Sequence, residues 1–354
     1  MRTKHKTKKV EIIAALLILF LITGFILIKS PVRNTEFGKS VNSTVINVLN
    51  GAKRFFPANM TSVKEHEILL ICPNETEIHM YSLLCDKNLL VTKFRKKEWG
   101  TWNIEGWYAS IDGSIPSSSL ELMAGGGTDW EYVLRVKNNM DKKNFAFSGG
   151  NHGLEKLRTF KLVNAIDNSQ IEFKKGKKLK LKELKIEEET SLYFDETDAA
   201  KYAEVRRTYM VSPSKITLKT DFQFTTQIFI GTSYVCMLPT SKKYGRYVLF
   251  KESGNIYSTP PEGETLTKDG FENFLGKEAS TTVEIWGDAR PNYRFVTFIK
   301  DGKMVNNFNN ELKTFYWDFD QYGNKLYFSK YGKTEKIEKG TRWENYCEWE
   351  INVR

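Results

Sequence analysis

The sequence predicts an all-β protein, a large jelly-roll-like β-sandwich ectodomain held behind a single N-terminal transmembrane helix. Three observations predict it. Short apolar and aromatic runs recur through residues 98–354, separated by Gly, Asn, Asp and Pro. Helical periodicity in that stretch is confined to short pieces around Asp198–Glu204 and Gly270–Leu275. One long uncharged apolar run lies near the N-terminus. With 40% hydrophobic and 13% aromatic residues, the 354-residue chain is too apolar to be disordered, and its single long apolar run excludes a polytopic membrane protein.

Residues 1–11 form a basic tail, with Arg2, Lys4, Lys6, Lys8 and Lys9 against Glu11 alone. Residues 12–28, IIAALLILFLITGFILI, are seventeen uncharged positions. At about 1.5 Å per residue they reach roughly 25 Å, and tilt or flanking residues complete a membrane crossing. No small-x-small cleavage site follows, so the run reads as an uncleaved signal-anchor. Positive-inside placement leaves the tail cytoplasmic and the remaining chain outside, with the lipid bilayer as a partner of residues 12–28. Residues 29–66 read as a stalk, with a short helix over 45–56.

The formal charge is +10, of which the tail accounts for +4, leaving +6 for the rest. That thin surplus suits an anionic glycan or surface. It supplies no concentrated basic helix of the kind nucleic acid needs.

From Glu67 the pattern changes to strands. Residues 67–97 hold short ones broken at Pro73-Asn74 and at 86–88, a small β segment or the first strands of the main domain. Residues 98–354 form the sandwich. Trp102–Ile111 is aromatic-rich, Tyr132–Val136 follows a Gly-rich turn, and Phe145–Phe147 leads into one. Lys178-Leu-Lys-Leu-Lys alternates with period two, a strand with one solvated face. Further strands are expected at 202–211, 215–220, 222–230, 234–238, 244–250, 281–286, 294–299, 312–317, 325–328 and 346–353. The pairs Asp112-Gly113, Gly254-Asn255, Asp301-Gly302 and Gly323-Asn324 are hairpin signals. No fixed period repeats, which argues against a propeller or solenoid.

Cys72, Cys85, Cys236 and Cys347 fall in the predicted extracytoplasmic part, where disulfides persist. A Cys72–Cys85 bridge would close a hairpin-sized loop, and Cys236–Cys347 would tie two distant strands. Other pairings and four free thiols stay open. No C-x-x-C occurs, so neither a zinc ribbon nor a thioredoxin-type site is expected, and no metal or cofactor is implied.

The most unusual local feature is Phe147-Ser-Gly-Gly-Asn-His-Gly153, where three glycines frame Asn151 and His152. Glycine permits positive φ and close backbone approach. His152 is the one histidine of the main domain, fitted to act as base, acid or donor; the plain alternative is a tight turn capped by Asn and His. The second constellation is Tyr202-Ala-Glu-Val-Arg-Arg-Thr-Tyr209. Strand alternation puts Glu204 and Arg206 on one face and Arg207 with Tyr209 on the other. An Arg beside a Tyr can hold a carboxylate while the phenol donates a proton, or can simply be a cross-strand ion pair. The third is Lys242-Lys-Tyr-Gly-Arg-Tyr247, where Lys243, Tyr244 and Arg246 could stack and pair with a sugar acid. Its eight tryptophans are expected in the core. Glu98, Glu105, Asp129 and Glu131 lie on adjacent segments, with no spacing that singles out a catalytic pair. Nucleophile elbows, P-loops and dinucleotide fingerprints are missing.

A sandwich with a displayed His, with Tyr and Arg on a sheet face and with a basic surplus resembles the β-sandwich polysaccharide lyases. The resemblance covers residues 98–354 at the level of architecture and residue types; the Gln-x-His element of the alginate lyases is absent. In that family a cationic or amide group neutralises a uronate carboxylate, a base removes the C5 proton, and a Tyr protonates the leaving oxygen. Carried over, Asn151 or Arg207 is the neutraliser, His152 the base and Tyr209 the acid. Arg206, Lys243, Tyr244 and Arg246 would line the substrate path. The expected functions are binding of an acidic polysaccharide by a membrane-anchored protein, cleavage of a uronate-containing glycan by β-elimination, or a structural or adhesive role. The first two require His152, Arg207 and Tyr209 to share one groove.

Overall fold

The structure is a computed structural model that describes residues 63–85, 88–110, 119–122, 129–140, 144–266, 273–300, 311–331 and 334–354. The expected tail, the membrane span at 12–28, the short helix at 45–56 and the turns at Asp112-Gly113 and Asp301-Gly302 lie outside them. No helix of the described residues is long and apolar enough to cross a membrane. The described residues belong to one compact unit, Ser62–Arg354.

The strands in chain order begin with β1 (Ile68–Ile71), β2 (Glu77–Cys85), β3 (Asn88–Lys96), β4 (Trp102–Ser110), β5 (Ser119–Glu121), β6 (Val133–Lys137), β7 (Ala146–Ser148) and β8 (Glu155–Asn164). There follow β9 (Gln170–Ile171), β10 (Lys178–Leu181), β11 (Leu184–Tyr193), β12 (Lys201–Ser212), β13 (Lys215–Phe224), β14 (Ile228–Ser241), β15 (Tyr247–Phe250) and β16 (Ile256–Ser258). The last are β17 (Phe274–Glu278), β18 (Thr282–Trp286), β19 (Tyr293–Ile299), β20 (Glu311–Asp318), β21 (Gly323–Tyr331), β22 (Glu335–Ile337) and β23 (Arg342–Val353).

They form three antiparallel sheets. A ten-stranded sheet runs β16-β15-β18-β19-β23-β13-β12-β11-β8-β9. A six-stranded sheet runs β10-β1-β2-β3-β4-β5, and a seven-stranded path runs β17-β20-β21-β14-β6-β7 with β22 beside β14. Inward residues of β12 show how these stack. Tyr209 and Val211 pack in a core shared with Ile104 and Trp107 of the six-stranded sheet and with Leu238 and Phe328 of the seven-stranded one. Ala203 and Val205 on the same face pack in a second core with Leu134, Val136 and Ile230. The two smaller sheets therefore cover one face of the large one.

The all-β expectation holds, and one of its details changes. The architecture is three-sheeted, where a jelly roll has two sheets. The segment 67–97 supplies β1 to β3 of the six-stranded sheet, and β1 pairs with the Lys178-Leu-Lys-Leu strand, Ile68 opposite Leu181. That pairing joins residues more than a hundred positions apart, which local periodicity cannot encode.

Candidate functional site

Arg207 and Tyr209 lie inside the protein. Strand alternation turns them to the inward face of β12, and both side chains are fully buried. They sit at the seam where the three sheets meet. Among the described residues β4 pairs with β5 over Tyr108–Ser110, and its earlier N–H groups on that side meet no strand there. Carboxylates take their place: Trp102 N donates to Glu188 Oε1 at 2.8 Å, and Ile104 N to Glu131 Oε1 at 2.8 Å. Arg207 balances these charges, with Nε 3.4 Å from Glu188, Nη1 3.6 Å from Glu155 and Nη2 3.8 Å from Glu131. Nη2 also donates to Trp102 O and Asn103 Oδ1, each at 3.2 Å, and to the Tyr209 hydroxyl. Tyr209 donates to Glu131 at 3.1 Å, and Tyr132 donates to Glu155 at 2.7 Å.

One cation thus faces three buried carboxyls. Burial pushes the Glu131 carboxyl up, and pushes Glu188 to about 7, against the pull of Arg207. Burial and the neighbouring carboxylates hold the Tyr209 phenol well above its ordinary range. Burial disfavours the Arg207 charge, yet Tyr209, Glu188 and Glu155 keep its pKa well above its ordinary value. The cluster holds sheets together and reaches no solvent. The expected groove joining Arg207, Tyr209 and His152 is therefore not formed, because alternation and the seam send the first two inward.

His152 is on the adjoining loop at the end of β7, where Gly150 O accepts from Asn103 Nδ2 at 3.0 Å, but its side chain faces solvent while Arg207 and Tyr209 are sealed inside. Gly149, Gly150 and Gly153 adopt φ of 89°, 54° and 68°, where L side chains are strained. A Cβ on Gly149 would stand 2.6 Å from the Tyr132 ring. This geometry aims Asn151 N at Asp129 Oδ1, 2.6 Å away, and brings His152 Nε2 to 3.9 Å from Asp129 Oδ2. Lys325 Nζ binds the same Oδ2 at 3.2 Å. The His152 ring stacks on Phe147, centroids 5.1 Å apart, with the His152 side chain 43% exposed.

This loop borders the outward face of the seven-stranded sheet, which carries an aromatic array. The register puts Phe274 opposite Trp317, Trp317 opposite Lys325, and Phe315 opposite Tyr327. Ring centroids follow at 4.4 Å (Phe274–Phe315), 4.9 Å (Phe315–Tyr327) and 5.4 Å (Tyr327–Tyr234), with Trp317 5.5 Å from Phe274 and 4.8 Å from Phe319. Phe315 is buried beneath, Trp317 and Tyr327 are half-buried, and Phe319 is exposed. Cations edge the array: Lys325 Nζ is 5.0 Å from the Tyr327 centroid, and the Arg135 guanidinium is 5.3 Å from that of Phe147. Sequence reasoning missed Asp129, Arg135, Trp317, Lys325 and Tyr327 as a set. The alternations Phe315-x-Trp317 and Lys325-x-Tyr327 were the available signal.

The remaining expected binding residues lie apart from this face. Arg206 points outward from the ten-stranded sheet and pairs with Glu189 at 3.4 Å. It borders a groove of about 760 Å³ with Arg158, Glu204, Asp221, Arg342 and Glu344. Tyr244 is buried edge-on to Tyr293, so its ring offers no surface to a sugar. Lys243 is exposed beside it, and Arg246 is held by Asp288 at 2.8 Å and by Thr259 O at 3.1 Å. Among the described residues no group of His, Cys, Asp and Glu is arranged to hold a metal ion.

No family model and no curated protein sequence matches the chain. Solved structures that resemble it include the galactosidase domain of an α-galactosidase–sucrose kinase, at 11% identity and TM-score 0.44, covering 80% of this chain and 42% of that one. An α-galactosidase from Lactobacillus brevis gives 7% identity and TM-score 0.43 over 79% of this chain and 40% of its own. A putative aldose 1-epimerase from Escherichia coli K12 gives 10% identity and TM-score 0.38, over 78% of this chain and 100% of its own. The chain spans less than half the length of the two galactosidases. The names of these neighbours are carbohydrate-related; at such identities and scores they carry no argument about this chain's chemistry.

Proposed function

We propose that the outward face of the seven-stranded sheet binds carbohydrate, with a preference for acidic polysaccharide. The observation that supports this reading is the run Phe274, Trp317, Tyr327 and Tyr234 bordered by Arg135, Lys325 and His152. The C–H faces of sugar rings pack on aromatic faces, Arg135 offers a charged donor to a carboxylate or sulfate, and the exposed His152 ring adds a hydrogen-bonding group. Lys325 is largely enclosed, and its role is to hold Asp129. Residues 12–28 would hold this face at the outer side of a membrane, a proposal tested by whether the full chain stays with membranes in alkaline carbonate.

A lyase reading rests on one observation, the approach of His152 to Asp129. In it His152 is the base, Asp129 orients it, and the acid is a residue other than the buried Tyr209. Both readings are tested on the full chain and its His152→Ala variant, using polygalacturonate, alginate and dextran. The binding reading expects retention on the acidic polymers, weaker on dextran, with no unsaturated ends released. Release of unsaturated ends that His152→Ala abolishes would make the protein a lyase. Neither retention nor release on any of the polymers would overturn both.

A further inference from the structure

Cys236 and Cys347 stand on different sheets. Cys236 lies on β14 of the seven-stranded sheet, Cys347 on β23 of the ten-stranded sheet, and both are buried in the same core. The strands are pinned together at this point. Trp349, two residues along the same face from Cys347, donates its indole N–H to the carbonyl of Met237, next to Cys236, at 2.9 Å. Trp130 packs against Trp349 from the side, centroids 5.6 Å apart. The Cys347 thiol donates to Leu218 O at 3.8 Å, and burial, then the neighbouring Cys236 thiol, pushes it well above its ordinary range. Cys236 and Cys347 are free thiols in the structure, and the pinned strands hold both in one buried core.

We propose that Cys236 and Cys347 form a disulfide that joins the two sheets when the chain folds in an oxidising compartment. The oxidant is a disulfide, borne by a folding catalyst or a small thiol. One cysteine thiolate attacks it, forming a mixed disulfide and releasing one thiol; the second thiolate attacks the mixed disulfide and releases the other. The chain loses two protons and two electrons, and the donor leaves as two thiols. Both sulfurs are sealed from solvent in the folded protein, so exchange precedes closure of the sheets, and the finished bond is shielded from reductant. This inference stands apart from carbohydrate binding, and neither depends on the other.

The test uses the full chain refolded with oxidised glutathione, alkylated in denaturant without reduction, and digested. The expected result is a bridged peptide carrying Cys236 and Cys347, released only by a reductant. Wild type refolded without oxidant should melt lower than wild type refolded with it, and the Cys236→Ala/Cys347→Ala variant should melt alike in both cases. Recovery of folded protein with both cysteines alkylated overturns the proposal, as does a bridge from either to Cys72 or Cys85. The wild-type peptide map decides the matter even if the double variant does not fold.

Discussion

Arg207-x-Tyr209 on β12 and Lys325-x-Tyr327 on β21 are the same local arrangement, one turned into the seam between the sheets and the other to the outward face of the seven-stranded sheet. In each, a cation lies over the ring of a tyrosine two residues on, at 5.4 Å for Arg207 and 5.0 Å for Lys325. In each, the cation meets a carboxylate. Arg207 meets three, in full burial, with Tyr209 sealed beside it. Among the described carboxylates Lys325 meets Asp129, and Tyr327 keeps part of its ring in solvent within a row of aromatic neighbours. The inner pair is an electrostatic clamp on three sheets. The outer pair backs a surface on which a ligand can lie. Residue type and spacing are shared, and the side of the sheet separates structure from candidate function.

The largest effect expected is on the inner pair. Arg207→Leu leaves three buried carboxyls without their cation and should cost about 3–5 kcal/mol of unfolding free energy. Urea unfolding measures it, and a loss under about 1 kcal/mol would show that the clamp does not hold the seam.

Next is pH. Glu188 is raised from 4.5 to about 7, so the folded state binds the extra proton. Its contribution to stability is fully present below about 4.5 and is lost as pH rises towards 7. At about 1.4 kcal/mol per pKa unit, the loss is at most about 3 kcal/mol. Unfolding midpoints from pH 4.5 to 7.5 should fall for the wild type relative to Glu188→Gln; parallel curves would remove Glu188 from the account.

On the outer pair the effect should appear in binding. Trp317→Ala should weaken retention on polygalacturonate about tenfold, near 1.4 kcal/mol, the scale of one aromatic stacking contact. Unchanged thermal unfolding in the same variant separates lost stacking from lost fold. Smallest of all, Arg206→Ala removes an exposed ion pair and should change stability by less than about 1 kcal/mol. An equal loss of glycan retention in Arg206→Ala would move the site to the ten-stranded sheet.

Much of this contrast was legible as pattern and little of it as place. Alternation along Tyr202–Tyr209 correctly separated Arg206 from Arg207, because period two is a local property of the strand. Which of the two faces meets solvent is decided by the six- and seven-stranded sheets that close over β12, and Arg and Tyr are amphipathic enough to fit either side. The glycine-framed loop was readable from Gly149, Gly150 and Gly153. Its acid partner was not, since Asp129 meets His152 through a fold contact twenty-three positions away. Trp102, Trp107, Trp130 and Trp349 are core residues, as tryptophans usually are. Trp99, Trp286 and Trp317 depart from that rule and are half-buried, and cross-strand neighbours reveal the place of Trp317 in the aromatic row.

The most direct test of the outer face is affinity electrophoresis of the full chain through gels containing polygalacturonate. Wild type, Trp317→Ala/Tyr327→Ala and Arg206→Ala/Arg342→Ala would run side by side with dextran gels as the neutral control. The account predicts that polygalacturonate retards the wild type and the arginine variant alike and that the aromatic variant runs free. Retardation of the aromatic variant at the wild-type level would contradict it.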